Sequence, residues 1–558
     1  MQSAKINRRG VLGLFGSSGA AALPGCTTIP EANAAVRFAH GVASGDPAPD
    51  GALLWTRASV EEAGAGDVPL RWFVVSGAAG SPTASGTALA RTAADHTVKV
   101  EVDGLEPGRE YRYYFTGPDG TRSPEGRFRT LPVGATDNVV LAVASCQLYP
   151  GGYFNAYAHM AQSERLDAVL MLGDYIYEYG ADGYGADIGQ RLNRLPDPLH
   201  ETVTLEDYRR RHAQVKSDPD MQAAHARAAF ICVWDDHEVT NDGWIGGAEN
   251  HQPESEGDWE QRKAAAMQAY FEWMPIRDPK PGRAASEIYR SFEFGDLLTL
   301  AMLETRLLVR DKQLEFAGDP SDANAYARLL TALSDEKREL IGSRQRDWLR
   351  ETLRTSTEAG KPWQIVANQV VMAKVSGPQL RRQMGEARYA QMLAQLPSGY
   401  EGRLRDAQLA YEAGVPFNLD AWDGYPGARK RLYEAFGASA SKPIVLAGDS
   451  HAGWANNLFD DAGELVALEL GCTAITSPSY GSLLPGIGRY IEAANEEVAY
   501  CNQDKKGYTL LTLTPAEAKA DFITVDTVLD RKFDAEVDAS FVALAGDEFA
   551  NWRRAGEA

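Results

Sequence analysis

Five short apolar runs in this chain each end in residues that bind metals or move protons. They are 139–146 (VVLAVASC), 168–177 (AVLMLGDYIY), 230–242 (FICVWDDHEVTND), 363–369 (WQIVANQ) and 444–451 (IVLAGDSH). Singly, each ending has an ordinary explanation. A lone Cys is core, Asp-Asp-His-Glu is a solvated turn, and Gly-Asp after a strand caps a helix. Together they form a mixed ligand set. Cys146 offers a thiolate, Tyr177 a phenolate, His237 and His451 imidazoles, and Asp174, Asp235, Asp236, Glu238 and Asp449 carboxylates. Thiolate and phenolate at neutral pH call for a strongly Lewis-acidic ion such as Fe(III). Carboxylates, with the neutral oxygens of Asn368 and Gln369, suit a hard divalent ion. Asp174, on the sharp turn that Gly173 permits, can bridge two cations with its two oxygens. The set points to two different ions in one site.

These residues need a scaffold that brings them together. Each run is short, aliphatic and β-branched, as a strand buried on both faces must be. In an open α/β sheet ligands bind beyond the carboxyl ends of the strands. From Asn138 onward such strands alternate with helical patterns at 157–166, 205–215, 259–274 and 334–353, the last with Ser334 as N-cap followed by Asp335 and Glu336. The long segments 180–204, 242–258 and 375–425 follow strand ends and are expected to wall or cover the site. Runs 508–513 and 520–528 flank Thr514-Pro515-Ala516-Glu517 and read as a hairpin at the sheet edge. The tail, 531–558, is expected to be helical. Residues 36–133 read as all-β, with strand-like runs at 53–56, 70–75, 97–102, 111–115 and 126–130. Within them Leu105-Glu106-Pro107 and Tyr111-Arg112-Tyr113 match the tyrosine corner of fibronectin type III sandwiches.

Composition sets the limits. The chain has 558 residues, too many for one core, with 44 % hydrophobic and 24 % charged residues and a formal charge of −21. That charge argues against a nucleic-acid-binding surface. Arg8-Arg9, followed by a mildly apolar stretch over 11–23, has the form of a twin-arginine (Tat) export signal ending near residue 35. Leu23-Pro24-Gly25-Cys26 resembles a lipoprotein cleavage box, so a lipid anchor at Cys26 is the alternative to plain cleavage. Either way the mature protein is expected to be periplasmic or extracellular.

The motifs carry a family resemblance. His40 to Pro47, Leu54-Trp55-Thr56-Arg57, Gly173 to Tyr177, Trp234 to Glu238 and Asp423-Gly424-Tyr425-Pro426 resemble those of PhoD-type alkaline phosphatases, within the calcineurin-like metallophosphatases. The likeness runs over about residues 36–530. It implies an α/β fold, a four-layer αββα sandwich over 138–530, preceded by a fibronectin type III-like domain over 36–133. It implies a phosphomonoesterase and phosphodiesterase that uses Fe(III) and one or two Ca(II), with zinc or manganese as other candidates, and a phosphate ester as substrate. By the same resemblance Cys146, Asp174, Tyr177 and His451 hold iron. Asp174, Asp236, Asn368 and Asp449 hold calcium, and Asn241 serves a second calcium. His237 contacts the phosphate or protonates the leaving group, and Arg306 meets transition-state charge. The chain departs from the family pattern at Thr240-Asn241-Asp242 and at Leu303-Glu304-Thr305-Arg306, where Asp is usual in place of Glu304. A monomer is expected, with the Tat machinery as a partner during export. Two other readings are a phospholipase D-like phosphodiesterase acting on lipid headgroups and a non-catalytic, calcium-stabilised surface binding protein. Cys146 argues against the second, because calcium has no use for a thiolate.

Overall fold

All five runs are strands, and they fall in two sheets. The computed structural model describes residues 35–60, 66–77, 82–316, 322, 324–546 and 549–556; the segment expected to be an export signal, with Cys26, lies outside the described residues. Strands Val139–Ala144, Ala168–Met171 and Phe230–Cys232 lie side by side and parallel at the centre of a ten-stranded sheet. Strands Leu298–Met302, Trp363–Ala367 and Ile444–Ala447 are likewise parallel neighbours in a seven-stranded sheet.

Side-chain alternation shows how the sheets stack. In the seven-stranded sheet Leu300, Ile365 and Leu446 join one core with Leu141 and Val143 of the other sheet. Their neighbours Ala301, Val366 and Val445 face the opposite way, toward Leu349 and Leu353 of helix Gly342–Glu358 and Leu432 and Phe436 of helix Pro426–Ala438. Helices Asn155–Met160, Leu205–Lys216, Pro219–Arg227 and Trp259–Trp273 contribute Met160, Tyr208, Met221 and Tyr270 to the first core. The result is a mixed α/β fold with the layer order helix, sheet, sheet, helix.

The N-terminal β region is built into this frame. Strands Ala84–Ala90, Val68–Val75, Glu110–Thr116 and Gly126–Arg129 form a sheet of their own. Their partners in the sandwich, Val42–Ala48, Gly51–Arg57 and Thr97–Val102, continue the ten-stranded sheet through the pairing Phe230↔Gly45. Gly45 is needed there, because a Cβ would lie 1.8 Å from the Pro275 carbonyl oxygen. The tyrosine corner is present, with the Tyr111 hydroxyl accepting from Glu106 N at 3.0 Å.

Three expectations fail for identifiable reasons. The tail is not helical: Ala535–Leu544 is a strand beside Glu517–Val525. Ala539, Phe541 and Ala543 are buried against the sheet and alternate with half-exposed neighbours, a period of two. Ser334 does not open a helix. It closes helix Ala325–Leu333, Asp335 turns the chain by accepting from Lys337 N, and the next helix starts at Gly342. The helix expected over 157–166 ends at Met160: beyond it the chain tightens into three-residue turns, with Gln162 N on the His159 carbonyl and Ser163 N on that of Met160, and Arg227 holds the Ser163 and Glu164 carbonyls that follow.

One buried charge links the sandwich to the α/β region. The Lys216 ammonium lies 4.5 Å over the Trp55 ring and 5.1 Å over that of Tyr175, and 3.3 Å from His225 Nε2. Burial lowers its pKa from 10.5 to about 7. Between those values the unfolded chain holds a proton that the folded chain has released, so this group's contribution to stability rises with pH across that window. Lys216→Met is expected to be more stable than the parent near pH 6, by roughly 1–4 kcal/mol. It should also show a flatter rise in stability toward pH 10. Denaturant melts at about pH 6, 8 and 10 check this, and parallel curves for the two proteins would refute it.

Candidate metal centre

The carboxyl ends of both parallel strand sets meet at one place. Three overlapping clusters lie there, each with ligand atoms within 4.8 Å of one another: Cys146–Asp174–His451, Asp174–Asp236–His237 and Asp235–Asp236–Asp449. Asp174 belongs to the first two and Asp236 to the last two, so the clusters form a continuous row. Tyr177 joins the first, its hydroxyl donating to Asp174 Oδ2 at 3.0 Å and lying 3.2 Å from His451 Nε2.

The turns that aim these side chains are unusual. Cys146, Asp174, Asp449 and His451 all have left-handed backbone, with φ of 60°, 55°, 57° and 58°. Such conformations cost on the order of 1–3 kcal/mol where the side chain gives no local help, and they gather at functional sites. Gly173, at φ 109°, allows the turn at Asp174 to lie against Asp235, where a Cβ would come within 2.5 Å of the Asp235 backbone nitrogen. Glu238 ties the two turns together by accepting from the backbone N–H groups of Asp174, Tyr175 and Asp235.

The electrostatics favour a cation at the first cluster. Burial, then the Asp174 charge, pushes the Cys146 thiol well above its usual range. Burial, then Asp174 and Cys146, does the same to the Tyr177 phenol. Burial raises Asp174 too, against the opposing pull of His237. Three acids this close in a dry site cannot all ionise on their own. Asp174 Oδ1 is buried with no hydrogen-bond partner among the described residues. His451 is preset as a neutral ligand. Burial, then Lys506, lowers it to about 3, and its Nδ1 donates to the Pro478 carbonyl at 2.7 Å. That leaves the Nε2 lone pair turned toward Tyr177 and the cluster. An orphaned carboxylate oxygen beside a thiol, a phenol and an oriented imidazole fits a Lewis-acidic ion.

The other end of the row is more acidic and is partly neutralised. Arg306 is fully buried, with Nε on Asp235, Nη1 on Asp420 at 2.6 Å and Nη2 on Asp449 at 3.0 Å. Arg310 also binds Asp420. Asp236 is held down to about 2: burial opposes its charge, but Arg306 and His237 prevail. Asp449 and Asp242 are pushed up to about 7, each by burial first. Arg306 therefore positions carboxylates here, and all three of its nitrogens are engaged with them.

Other expected residues lie differently. Asn368 is buried, but its Nδ2 donates to the Leu446 carbonyl and its Oδ1 accepts from Trp422 Nε1. Gln369 is likewise committed, to Thr305 and the Leu303 carbonyl. Asn241 donates through Nδ2 to Glu249, while its neighbour Asp242 lines the cleft. Glu304 gathers Trp234 Nε1 and the backbone N–H groups of Arg306, Leu307 and Leu308, and so fixes the loop that carries Arg306. Asp420 and Glu178 were not singled out from the sequence. Asp420 lies in the long 375–425 segment, where no local pattern marks it. Glu178 directly follows Tyr177 and reads as an ordinary loop acid, yet its Oε2 lies 2.7 Å from His237 Nδ1. Burial alone would discharge His237, but Glu178, Asp236 and Asp174 outweigh it and raise its pKa well above the usual value.

The row opens into a cleft of about 810 Å³, lined by Asp242, Asp420, Asp449 and His451 and by the aromatic rings of Tyr184, Tyr400, Phe417 and Tyr480. Helix Ala186–Leu192 and the segment around Tyr400 come from two of the long insertions, which do wall the site.

Comparison with known proteins agrees with this geometry. The family described as PhoD-like phosphatase matches residues 141–522, and its N-terminal domain matches 24–132. The chain belongs to the PhoD-like phosphatase family. It is 34 % identical over 537 residues to alkaline phosphatase D of Bacillus subtilis (strain 168), covering 92 % of this chain and 82 % of the relative. A solved structure of PhoD superposes with a TM-score of 0.75 at 32 % identity, covering 93 % of this chain and 92 % of that one. A purple acid phosphatase from yellow lupin, at 11 % identity and a TM-score of 0.51, covers 91 % of this chain and 74 % of its own and shares the fold. The chain is thus a phosphoric ester hydrolase with candidate metal-binding clusters at its strand ends. The lipid-headgroup and non-catalytic readings are not favoured.

The Glu178–His237 pair yields a test. Glu178→Gln removes the charge that orients and protonates His237 while keeping the side chain's shape. On a nitrophenyl phosphoester, kcat is expected to fall about 10–100-fold with KM changed little. An unchanged kcat in a folded variant would remove Glu178 from the site's machinery.

Proposed function

We propose that this protein hydrolyses phosphate monoesters and diesters outside the cytoplasm, after Tat export, as a monomer that is either free or anchored through Cys26. The reading of the site rests above all on the row of clusters that share Asp174 and Asp236. Cys146, Tyr177, His451 and Asp174 suit Fe(III), and Asp174, Asp236 and Asp449 suit Ca(II). Asp242 and Asp420 are better placed than Asn241 or Asn368 to serve an outer calcium, since both border the cleft. When bound, such cations supply Lewis acidity toward the phosphoryl oxygens and toward water.

The side chains do the rest. Asp174 holds the two halves of the row at one carboxylate. His237, fixed by Glu178 at Nδ1, keeps Nε2 to donate to a phosphoryl oxygen or to the departing alkoxide. Arg306 keeps Asp235, Asp420 and Asp449 in place, so that negative charge is spread around the cleft. Water attacks phosphorus in line and the bond to the leaving oxygen breaks, with no covalent phospho-enzyme. Ser450 is not a nucleophile in this scheme; its hydroxyl accepts from Trp454 Nε1 at 2.9 Å.

Elemental analysis of protein exported by its native route, with hydrolysis of nitrophenyl phosphate and bis(nitrophenyl) phosphate, tests the proposal. Chelation is expected to abolish both activities, and full activity after stringent metal removal would sink the two-metal reading. Cys146→Ala should lose iron and at least about 100-fold in kcat while keeping calcium. Asp174→Asn should lower both metals. A Cys146→Ala protein with full iron content would remove Cys146 from the ligand set.

A further inference from the structure

The cleft has an apolar annex. Tyr400, Phe417, Tyr480 and Leu483 line both the cleft and a second cavity of about 280 Å³. Leu380, Leu396, Leu404, Tyr411, Leu484 and Ile487 form most of its wall. Gln408 also lies there, but its carboxamide is spent on the Leu380 N–H at 2.8 Å and the Pro378 carbonyl at 2.9 Å. The annex continues into a third cavity of about 360 Å³ through Leu380, Leu396, Leu483, Leu484 and Ile487.

Aromatic rings connect the polar site to this space. Phe316, Tyr411, Phe417 and Tyr480 are successive neighbours, with ring centroids 6.3, 6.0 and 5.5 Å apart. Three residues of the rim stay in water: Phe316 and Tyr400 are each 40 % exposed and Tyr480 is 56 % exposed. Scattered single apolar residues on a surface need no explanation, but a cluster around a cavity marks a contact site. This one shares a wall with the cleft that carries Asp449 and His451. A ligand whose phosphoryl group lies at those residues can therefore place one ester arm in the annex.

We propose that the annex is a subsite for an unbranched alkyl arm of the phosphoester. The inference rests on the phosphoester-hydrolase reading and adds the class of substrate. The walls beyond the aromatic gate are mainly Leu and Ile, which offer dispersion contacts and no hydrogen bonds; Arg403 also lines the annex, its guanidinium 5.8 Å over the Tyr400 ring at the rim, and a chain of methylenes fits the Leu and Ile surface better than a sugar or a nucleoside. The arm takes no part in the reaction. Water adds to phosphorus, the bond to the leaving oxygen breaks, and that oxygen takes a proton.

The test uses metal-loaded protein and a series of nitrophenyl alkyl phosphates, from methyl through butyl to hexyl, kept below micelle formation. Each methylene that enters the annex is expected to raise kcat/KM about threefold, on the order of 100-fold from methyl to hexyl. Ala407→Phe, which fills the annex from helix Tyr400–Glu412, and Leu404→Asp, which makes it polar, should flatten that dependence. Both should leave the methyl ester within about twofold of the parent. Rates independent of chain length in the parent, or a dependence that survives in both variants, would overturn the proposal. Calorimetric binding of hexylphosphonate against methylphosphonate separates the two readings. If no ester is hydrolysed, the phosphoester reading fails, while tighter hexylphosphonate binding that Ala407→Phe abolishes still supports the annex. Equal binding of the two phosphonates overturns it.

Discussion

Neutralising acids packed between two sheets is the constraint on which this structure depends. Asp174, Asp235, Asp236 and Glu238 are almost fully buried, and Asp449 sits beside them at the mouth of the cleft. Isolated buried carboxylates are costly enough that they pick up a proton or a partner. Each stretch of the row meets this demand differently. Glu238 is satisfied by three backbone N–H groups, Asp236 by Arg306 and His237, and Asp449 and one oxygen of Asp235 by Arg306, while Asp235 Oδ2 has no partner among the described residues. Cys146, Tyr177 and Asp174 keep the remaining demand: His237 opposes it only in part, and Asp174 Oδ1 has no hydrogen-bond partner among the described residues.

The backbone is arranged to keep the row intact. Parallel strands of two sheets end at the same level, and left-handed residues turn the chain at once, so side chains from positions far apart converge within one turn of backbone. Strain of that kind persists only where the surroundings over-determine it. Glu238 and Glu304 do so by gathering the N–H groups of the turns on which Asp174, Asp235 and Arg306 stand. Glu304, a departure from the usual family residue, fills this structural role with its longer side chain. The other departure puts Asp242 rather than Asn241 at the cleft.

The insertions carry what the scaffold does not. They bring Tyr184, Tyr400, Phe417 and Asp420 to the edge of the row, and so set what lies beside a bound phosphoryl group. The N-terminal sandwich stands at one end of the ten-stranded sheet and shares it through Gly45, which makes it a continuation of the catalytic frame. Lys216 at that seam is held by aromatic faces with no carboxylate paired to it among the described residues, a weak spot that burial leaves sensitive to pH.

The sequence by itself determined the strands and their endings, because a buried parallel strand must be a short aliphatic run and cannot hide the ligand residues that follow it. It also determined the tyrosine corner, the alternation of strands and helices, and the family, since each is written in residues close together along the chain. Tertiary structure alone decided the rest. The bond from Trp422 Nε1 to the Asn368 oxygen joins residues fifty-four positions apart. Arg306 reads as a group free for substrate until four carboxylates from three loops surround it. The tail could not be told from a helix while its partner strand was unknown, and Asp420 carries no local mark at all. Hydrogen bonds and ion pairs between distant segments are selected by the packing of the layers, and no spacing in the chain encodes them.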